Sequence, residues 1–230
     1  MPNDFSKISC VIAAYNEEQR IRDVLNVICK HPLINEIIVV DGASTDNTRK
    51  IVAEFPNIIL IAQEKKGGKS ADVAEGFSRA TGDLIFMCDA DLEGLKSEHV
   101  TALIEPVLNH QADQSISLRA NTPWLWHVIG IDWLSGDRVF PKTFITPHLK
   151  KLSELLPYGI ESYMNRFIIK NKLRIKSVYC EGLADPLKFK KIGILKGLVK
   201  EFGMRLDITR TVSPVGKYYQ IIRLYFLLVK

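Results

Sequence analysis

Apolar and polar positions alternate in blocks along the first ninety residues. Lys7–Ala14, Glu36–Val40, Asn57–Ala62 and Asp83–Cys88 are short apolar runs rich in β-branched residues. Each reads as a buried strand of a parallel sheet. Between them, Glu17–Lys30, Thr45–Phe55 and Lys69–Ala80 carry helical spacing. In the first of these, Ile21, Val24, Leu25 and Ile28 form one apolar stripe. Asn16 is placed to cap that helix, Ser44 or Thr45 the next, and Pro32 follows the first helix's end. Strand–helix alternation of this kind predicts a doubly wound α/β sheet. Ligands in such sheets bind beyond the carboxyl ends of the strands, which directs attention to Tyr15–Glu18, Asp41–Thr48 and Asp89–Glu93.

The second half is less regular. Val100–Asn109, Ile145–Leu156 and Ile160–Asn171 have helical spacing, while Asp113–Leu118 and Leu173–Glu181 read as strands. Trp124–Leu134 is aromatic and apolar. No internal repeat or low-complexity linker interrupts the 230 residues, a length that buries a real core. The expected division is a domain over residues 1–186 and a basic amphipathic C-terminal extension over 187–230. In that extension Lys188–Lys200 sets Ile192, Leu195 and Val199 to one side among lysines. Tyr218–Val229 follows with a second apolar stretch, interrupted by Arg223 and too short to span a bilayer. Such helices lie in a membrane interface, or else pack on the domain or in a homodimer interface.

Charge sharpens this picture. Arg166–Lys230 holds 15 Lys and Arg against 4 Asp and Glu, a net of +11, while the remaining residues carry a net of −6. A basic C-terminal third points to an anionic partner: a membrane surface, a phosphate-bearing acceptor or nucleic acid. A merely solvated basic face accounts for it equally well. No apolar run reaches the roughly 18 residues of a membrane span, and Met1–Asp4 lacks the layout of a secretory signal. Cys10, Cys29, Cys88 and Cys180 are far apart, three of them in strand-like runs, as expected of reduced thiols in a cytoplasmic protein.

Four segments carry candidate chemistry. Asp89-Ala90-Asp91 sets two carboxylates beyond an apolar strand, where a hard cation such as Mg²⁺ or Mn²⁺ is held through oxygen ligands and diphosphate oxygens. Asp41-Gly42-Ala43-Ser44 ends another strand, with a carboxylate able to accept hydrogen bonds from a base or a ribose. Ala13-Ala14-Tyr15-Asn16-Glu17 offers a ring for a nucleobase and a carboxylate for a ribose. Lys65-Lys66-Gly67-Gly68-Lys69 brings backbone amides and Lys69 toward a diphosphate, without the spacing of a Walker loop. Taken singly, each is also an ordinary strand–turn–helix connection.

Together they carry a resemblance. The runs VIAAYNEE, IIVVDGASTDNT and KGGKSADVAEGFSRATGDLIFMCDADL resemble, in order and spacing, the donor-binding half of family 2 glycosyltransferases with the GT-A fold. The resemblance implies a nucleotide-diphosphate sugar donor, with Ala13, Tyr15, Glu17 and Asp41 around the nucleoside. It also implies Asp89, Ala90 and Asp91 at a diphosphate–metal centre. Relatives often carry proline where this chain has Ala13. Ser117-Leu118-Arg119 is similar to a segment of polyprenyl-phosphate sugar synthases in which an arginine faces the donor. Ser135-Gly136-Asp137-Arg138 resembles an SGxR segment of those enzymes and of glucosyl-3-phosphoglycerate synthases, which makes Arg138 a further candidate for phosphate. Tyr158-Gly159-Ile160-Glu161 is similar to a YGxE segment and makes Glu161 the candidate general base; with a phosphate acceptor it would only position groups. Where relatives carry a metal-binding histidine after the last strand, this chain has Asp185. That change leaves open a retained site with altered metal preference or a weakened one.

The resulting expectation is a GT-A fold, a mostly parallel doubly wound sheet flanked by helices with a basic helical tail. Its activity would be metal-dependent hexose transfer from a UDP- or GDP-sugar, with Asp91 and Asp185 on Mg²⁺ or Mn²⁺. Lys69, Arg119 and Arg138 would sit on phosphate charge. The acceptor would be a polyprenyl phosphate or another membrane-surface glycan precursor, with no nucleic acid involved. A soluble phosphorylated acid such as 3-phosphoglycerate is the alternative acceptor. The expected location is cytoplasmic, peripheral at the inner face of the membrane. A nucleotidyltransferase would need a longer glycine-rich basic loop where Ala13–Glu17 stands. A catalytically weak nucleotide-sugar-binding scaffold is the remaining reading, motivated by Asp185.

Overall fold

A computed structural model of the chain describes residues 5–157, 159–186, 210 and 212–229. Four strands, β1 (Ile8–Ala14), β2 (Glu36–Asp41), β3 (Ile58–Ala62) and β4 (Leu84–Asp89), fall within a residue of the apolar runs. The helices between them are α1 (Ile21–Ile28), α2 (Thr48–Ala53) and α3 (Lys69–Arg79). After β4 come α4 (Ser97–Leu108), β5 (Gln114–Arg119), α5 (Trp124–Ile129) and β6 (Arg138–Pro141). They are followed by α6 (Lys142–Ile145), α7 (Leu149–Ser153), α8 (Ile160–Asn171), β7 (Ile175–Cys180) and α9 (Pro214–Tyr225).

The seven strands form one mixed sheet in the order β3-β2-β1-β4-β6-β5-β7. All neighbours are parallel except β6, which runs against both β4 and β5. The alternation of side chains along β1 shows how the layers are built. Cys10, Ile12 and Ala14 join a core with α1 and α4, whereas Val11 faces the opposite core with α3 and α8. A third cluster around Trp133 joins β5, β7, α8 and α9 at the far edge of the sheet.

Several local expectations are corrected. Asn16 does not cap α1, which starts at Ile21. Asn16 takes a left-handed backbone (φ 56°) and its side chain accepts from the Thr45 amide at 2.9 Å, tying the β1 and β2 loops together. Ser44 and Thr45 do not cap α2, which starts at Thr48; the Asp46 carboxylate accepts from the Thr48 amide at 2.9 Å instead. The single helix expected over Ile145–Leu156 is broken into α6, a 3₁₀ turn (Thr146–His148) and α7, because Pro147 cannot donate within a helix. Strand β6 was not among the expected elements.

All four cysteines are free, and Cys10, Cys88 and Cys180 are buried. Tyr158 and the expected helix Lys188–Lys200 lie outside the described residues. The second stretch of the extension contributes to α9, which is capped by Ser213, whose side chain accepts from the Gly216 amide. It buries Ile221 and Leu224 on the Trp133 cluster and exposes Tyr218, Tyr219, Ile222 and Tyr225. No helix among the described residues is long and apolar enough to cross a membrane.

Candidate active site

The carboxyl ends of β1, β2 and β4, where the strand–helix pattern directs a ligand, carry two groups of side chains. The first lies over β1 and β2. Ala13 is partly buried on β1, and the ammonium of Lys66 sits 4.1 Å from the centre of the Tyr15 ring. Glu17 is buried, and its amide donates to Thr48 Oγ1 at 2.8 Å. Asp41 is wholly buried; its Oδ2 accepts from the Ser44 amide at 3.0 Å and from Arg49 Nε. Asp41 Oδ1 has no hydrogen-bond partner. Asp72, from the first turn of α3, lies against the next residue. A Cβ on Gly42 would stand 2.5 Å from Asp72 Oδ2, so only glycine admits that carboxyl here.

The second group is a knot of charges over β4, β5 and β7. Lys69, at the start of α3, places Nζ 2.7 Å from Asp89 Oδ1 and 2.7 Å from Glu161 Oε1. Arg119, the last residue of β5, places Nη2 2.6 Å from Asp89 Oδ2 and 2.6 Å from Asp137 Oδ2, and pairs through Nη1 with Asp185. Asp137 also accepts from the Asp89 amide at 3.0 Å and from Ser117 Oγ at 3.1 Å. A Cβ on Gly136 would fall 2.7 Å from Asp89 Cγ, which makes this loop a close backing for the carboxylate.

Electrostatics follow from these distances. Burial works to lower Lys69, but the carboxylates of Asp89 and Glu161 outweigh it and hold the ammonium above the ordinary lysine range. Burial works to raise Asp89, but Lys69 and Arg119 outweigh it and hold Asp89 ionised, far below the usual carboxylate range. Burial pushes Asp137 up to about 6 against the pull of Arg119. The unlike outcomes reflect unlike company: Asp89 has two cations beside it, Asp137 one.

The structure thus brings together Lys69, Asp89, Arg119, Glu161 and Asp185. Ala90, between the two carboxylates of its motif in sequence, is buried, and Asp91 is half-buried. Arg138 is not brought to the cleft. Its guanidinium is fully buried and donates to the carbonyls of Ser135 and Trp133 and to Asn165 Oδ1, and burial pushes it down to about 10. The fork expected to face phosphate instead fixes the loop that carries Gly136 and Asp137. Asp72 and Asp137 are the two site residues that the sequence reading did not single out.

Among the described residues no three His, Cys, Asp or Glu side chains gather as a metal cluster. Both Asp89 oxygens face cations of the protein, and one Asp185 oxygen faces Arg119. Asp91 and the second Asp185 oxygen are the other carboxylate groups of these two loops, and among the described residues neither makes a cluster with a third ligand. That set suits a hard cation carried by one or two carboxylates plus the phosphates of a bound ligand, and does not make a cage on its own.

Residues 9–173 match the family model described as Glycosyl transferase family 2. Among curated proteins, the chain is 35% identical over 102 residues to an undecaprenyl-phosphate 4-deoxy-4-formamido-L-arabinose transferase of Proteus mirabilis, covering 40% of this chain and 31% of that protein. It is 33% identical over 109 residues to a dolichol-phosphate mannosyltransferase of Pyrococcus furiosus, covering 45% and 30%. The matches therefore span about a third of these relatives' length. Among solved structures, glucosyl-3-phosphoglycerate synthase of Mycobacterium tuberculosis, bound to Mn²⁺, UDP and phosphoglyceric acid, superposes with a TM-score of 0.71 at 21% identity, over 89% of this chain and 76% of that one. That likeness establishes a GT-A-like fold.

Proposed function

Because the chain belongs to Glycosyl transferase family 2, we propose that it transfers a hexose from a UDP- or GDP-sugar to a polyprenyl phosphate or another phosphate-bearing acceptor at a membrane surface. The observation that carries the reading is the charge knot at the end of β4. Two cations, Lys69 and Arg119, are held beside Asp89 by carboxylates they would share with an incoming diphosphate. The nucleoside would lie over Tyr15, Glu17 and Asp41, and the diphosphate over Lys69, Arg119 and the Asp89–Asp91 turn. Mg²⁺ or Mn²⁺, held by Asp91 and Asp185 with the phosphates, would neutralise charge on the departing nucleotide.

In the transfer, an acceptor oxygen forms a bond to the anomeric carbon. The bond from that carbon to the diphosphate breaks, and the nucleoside diphosphate leaves with the electron pair. Lys69 couples the two ends of this exchange, since its ammonium is shared between Asp89 and Glu161. A diphosphate that draws Lys69 toward itself frees Glu161 Oε1, which then accepts the proton of a hydroxyl acceptor or orients a phosphate acceptor. Arg138 serves in this reading as the brace of the Ser135–Asp137 loop. An acceptor at a lipid surface is supported by the exposed apolar side chains Trp124, Leu125 and Val128 on α5, and Tyr218, Tyr219 and Ile222 on α9. Aromatic and aliphatic side chains of this kind settle in a headgroup layer.

The test is release of nucleoside diphosphate from a panel of UDP- and GDP-hexoses with Mn²⁺, using undecaprenyl phosphate in anionic vesicles or soluble 3-phosphoglycerate as acceptor. Release that depends on the lipid phosphate and is lost in Asp91→Ala supports the reading. Release with phosphoglycerate alone moves the acceptor to the soluble acid. Pyrophosphate in place of nucleoside diphosphate would mean nucleotidyl transfer.

A further inference from the structure

Both polar groups of the Asp185 main chain go to one side chain. Asn121 Nδ2 donates to the Asp185 carbonyl at 2.8 Å, and the Asp185 amide donates to Asn121 Oδ1 at 3.1 Å. A side-chain amide has a donor and an acceptor side by side, so it grips both groups of the same residue. The rest of this loop is stitched by main chain alone. The Ala120 amide donates to the Leu183 carbonyl at 2.8 Å, and Glu93 and Ala184 exchange amide–carbonyl bonds of 3.0 Å each. Gly94 lets the turn after Asp91 close on the loop, since a Cβ there would stand 2.4 Å from the Gly182 carbonyl oxygen. These ties stop one residue short of Asp185. Among the described residues, the direction of its carboxylate is set through Asn121.

That carboxylate is 50% exposed and pairs with Arg119 Nη1. The remaining guanidinium nitrogens, Nε and Nη2, go to Asp137 and Asp89. Asn121 lies two residues beyond Arg119, so one short segment at the end of β5 carries both the guanidinium and the amide that hold Asp185. Asn121 itself is exposed, and water reaches both groups it would leave behind. The fold therefore gains little from the clasp.

We propose that Asn121 is a positioning residue for Asp185, holding its main chain so that the carboxylate meets a divalent cation carried by a nucleoside diphosphate. The inference rests on the nucleotide-sugar reading, which puts Mg²⁺ or Mn²⁺ at Asp91 and Asp185, and names the residue that gives this site its shape. A cation held by one or two carboxylates plus phosphates has few protein ligands, so a single misdirected carboxylate weakens it strongly.

The experiment measures the affinity of the whole chain for UDP and GDP by calorimetry, in EDTA and across a series of free Mn²⁺ concentrations. It compares the wild type, Asn121→Ala, Asp185→Asn and the double variant. Losing a group that orients a metal ligand costs about 10–100-fold in metal affinity. Asn121→Ala should therefore need at least about tenfold more Mn²⁺ to reach half of the gain in nucleotide affinity. Its affinity in EDTA should change by less than about twofold, and its Tm should fall by less than about 4 °C. Asp185→Asn keeps the clasp and lacks the carboxylate, so adding Asn121→Ala to it should shift the Mn²⁺ requirement no further. An effect of Asn121→Ala that persists undiminished in the Asp185→Asn background overturns the assignment, because it marks a general loosening of the loop. So does an unchanged Mn²⁺ requirement in Asn121→Ala. Should Asn121→Ala not fold, an unchanged requirement in Asp185→Asn overturns it in the same way. Wild-type nucleotide binding that gains nothing from Mn²⁺ also overturns it and leaves the nucleotide site standing. Absence of binding by both nucleotides removes the nucleotide-sugar reading itself.

Discussion

Asp137 offers the clearest energetic test of the charge knot. Its carboxylate is 1% exposed and accepts from Arg119 Nε at 2.8 Å, Arg119 Nη2 at 2.6 Å, Ser117 Oγ at 3.1 Å and the Asp89 amide at 3.0 Å. Arg119 is itself almost wholly buried, and burial works against its charge while Asp137, Asp185 and Asp89 support it. Asp137→Ala removes the first of those supports and leaves the Asp89 amide without its acceptor, while the Ser117 hydroxyl keeps Ser135 Oγ at 2.7 Å. Breaking one side of a buried ion pair costs about 3–5 kcal/mol, because the surviving charge stays desolvated.

The assay is urea unfolding of Asp137→Ala, Arg119→Met and the double variant, followed by two probes to establish two-state behaviour. Each single variant is expected to lose about 3 kcal/mol or more. The double variant should lose less than the sum by about 1–3 kcal/mol, the range for residues in one network. A loss under about 1 kcal/mol for Asp137→Ala would refute the reasoning. It would mean that water and Asp89 already satisfy the guanidinium and that the knot is open to solvent.

Three further outcomes follow from the same geometry. Gly136→Ala sets a methyl against the Asp89 carboxylate; it should lower stability by about 1–3 kcal/mol and reduce nucleoside diphosphate release more than tenfold, read by thermal melting and a transfer assay. Mn²⁺ alone should leave the melting temperature unchanged, whereas Mn²⁺ with the preferred nucleoside diphosphate should raise it, because the chain supplies too few carboxylates without the phosphates. Asp72→Asn should stabilise the protein at pH 7.5 and not near pH 4. The native acid titrates at about 6 and the unfolded one near 3.8, so the native state binds more protons between those values and stability falls as pH rises through that window. Two units correspond to about 3 kcal/mol, and about 1–2 kcal/mol is expected once solvent screening through the covering loop is allowed for. Urea unfolding of both proteins across pH 4–8 measures the difference.

Legibility of the fold tracks how strongly each segment depends on its own sequence. Strands β1, β2 and β4 are continuous apolar runs buried on both faces, and β3, although half-exposed at the sheet edge, is as continuous, so the pattern locates all four within a residue. Helix α8 was expected over Ile160–Asn171 and has those bounds. Strand β6 has four residues, begins with a buried arginine and ends in proline. Nothing in such a segment announces a strand, and its place comes from pairing with β4 and β5. The same strand explains the misplaced arginine: Arg138 looks like a phosphate ligand in the sequence, yet a residue within a sheet-pairing strand turns its side chain into the layer behind. Asp72 was hidden because an acid in the first turn of a helix reads as an ordinary partner of the helix dipole. Only its spacing of four from Gly76, which packs on Val11, places it on the buried face.

The reversal at β6 also accounts for where the charges gather. Along a parallel pair, carboxyl ends meet carboxyl ends, and each strand contributes the start of a loop. At the β4–β6 pair, Met87 lies opposite Arg138, so the chain entering β6 passes directly beside Asp89 as it leaves β4. That entering segment is Ser135-Gly136-Asp137: a hydroxyl, a residue without a side chain and an acid. The missing side chain at Gly136 lets the backbone close on the Asp89 carboxylate, and Asp137 then binds the Asp89 amide from the same loop. Because β6 begins only at Arg138, paired with Ile116, Arg119 at the end of β5 reaches past its entrance to both Asp89 and Asp137. A β6 extended toward its N-terminus would put a paired strand between Asp89 and the Arg119 guanidinium. The break in sheet direction is therefore what places a fixed cation beside the acidic turn, and any insertion in residues 135–137 should disconnect the two while leaving the β1–β4 half of the sheet intact.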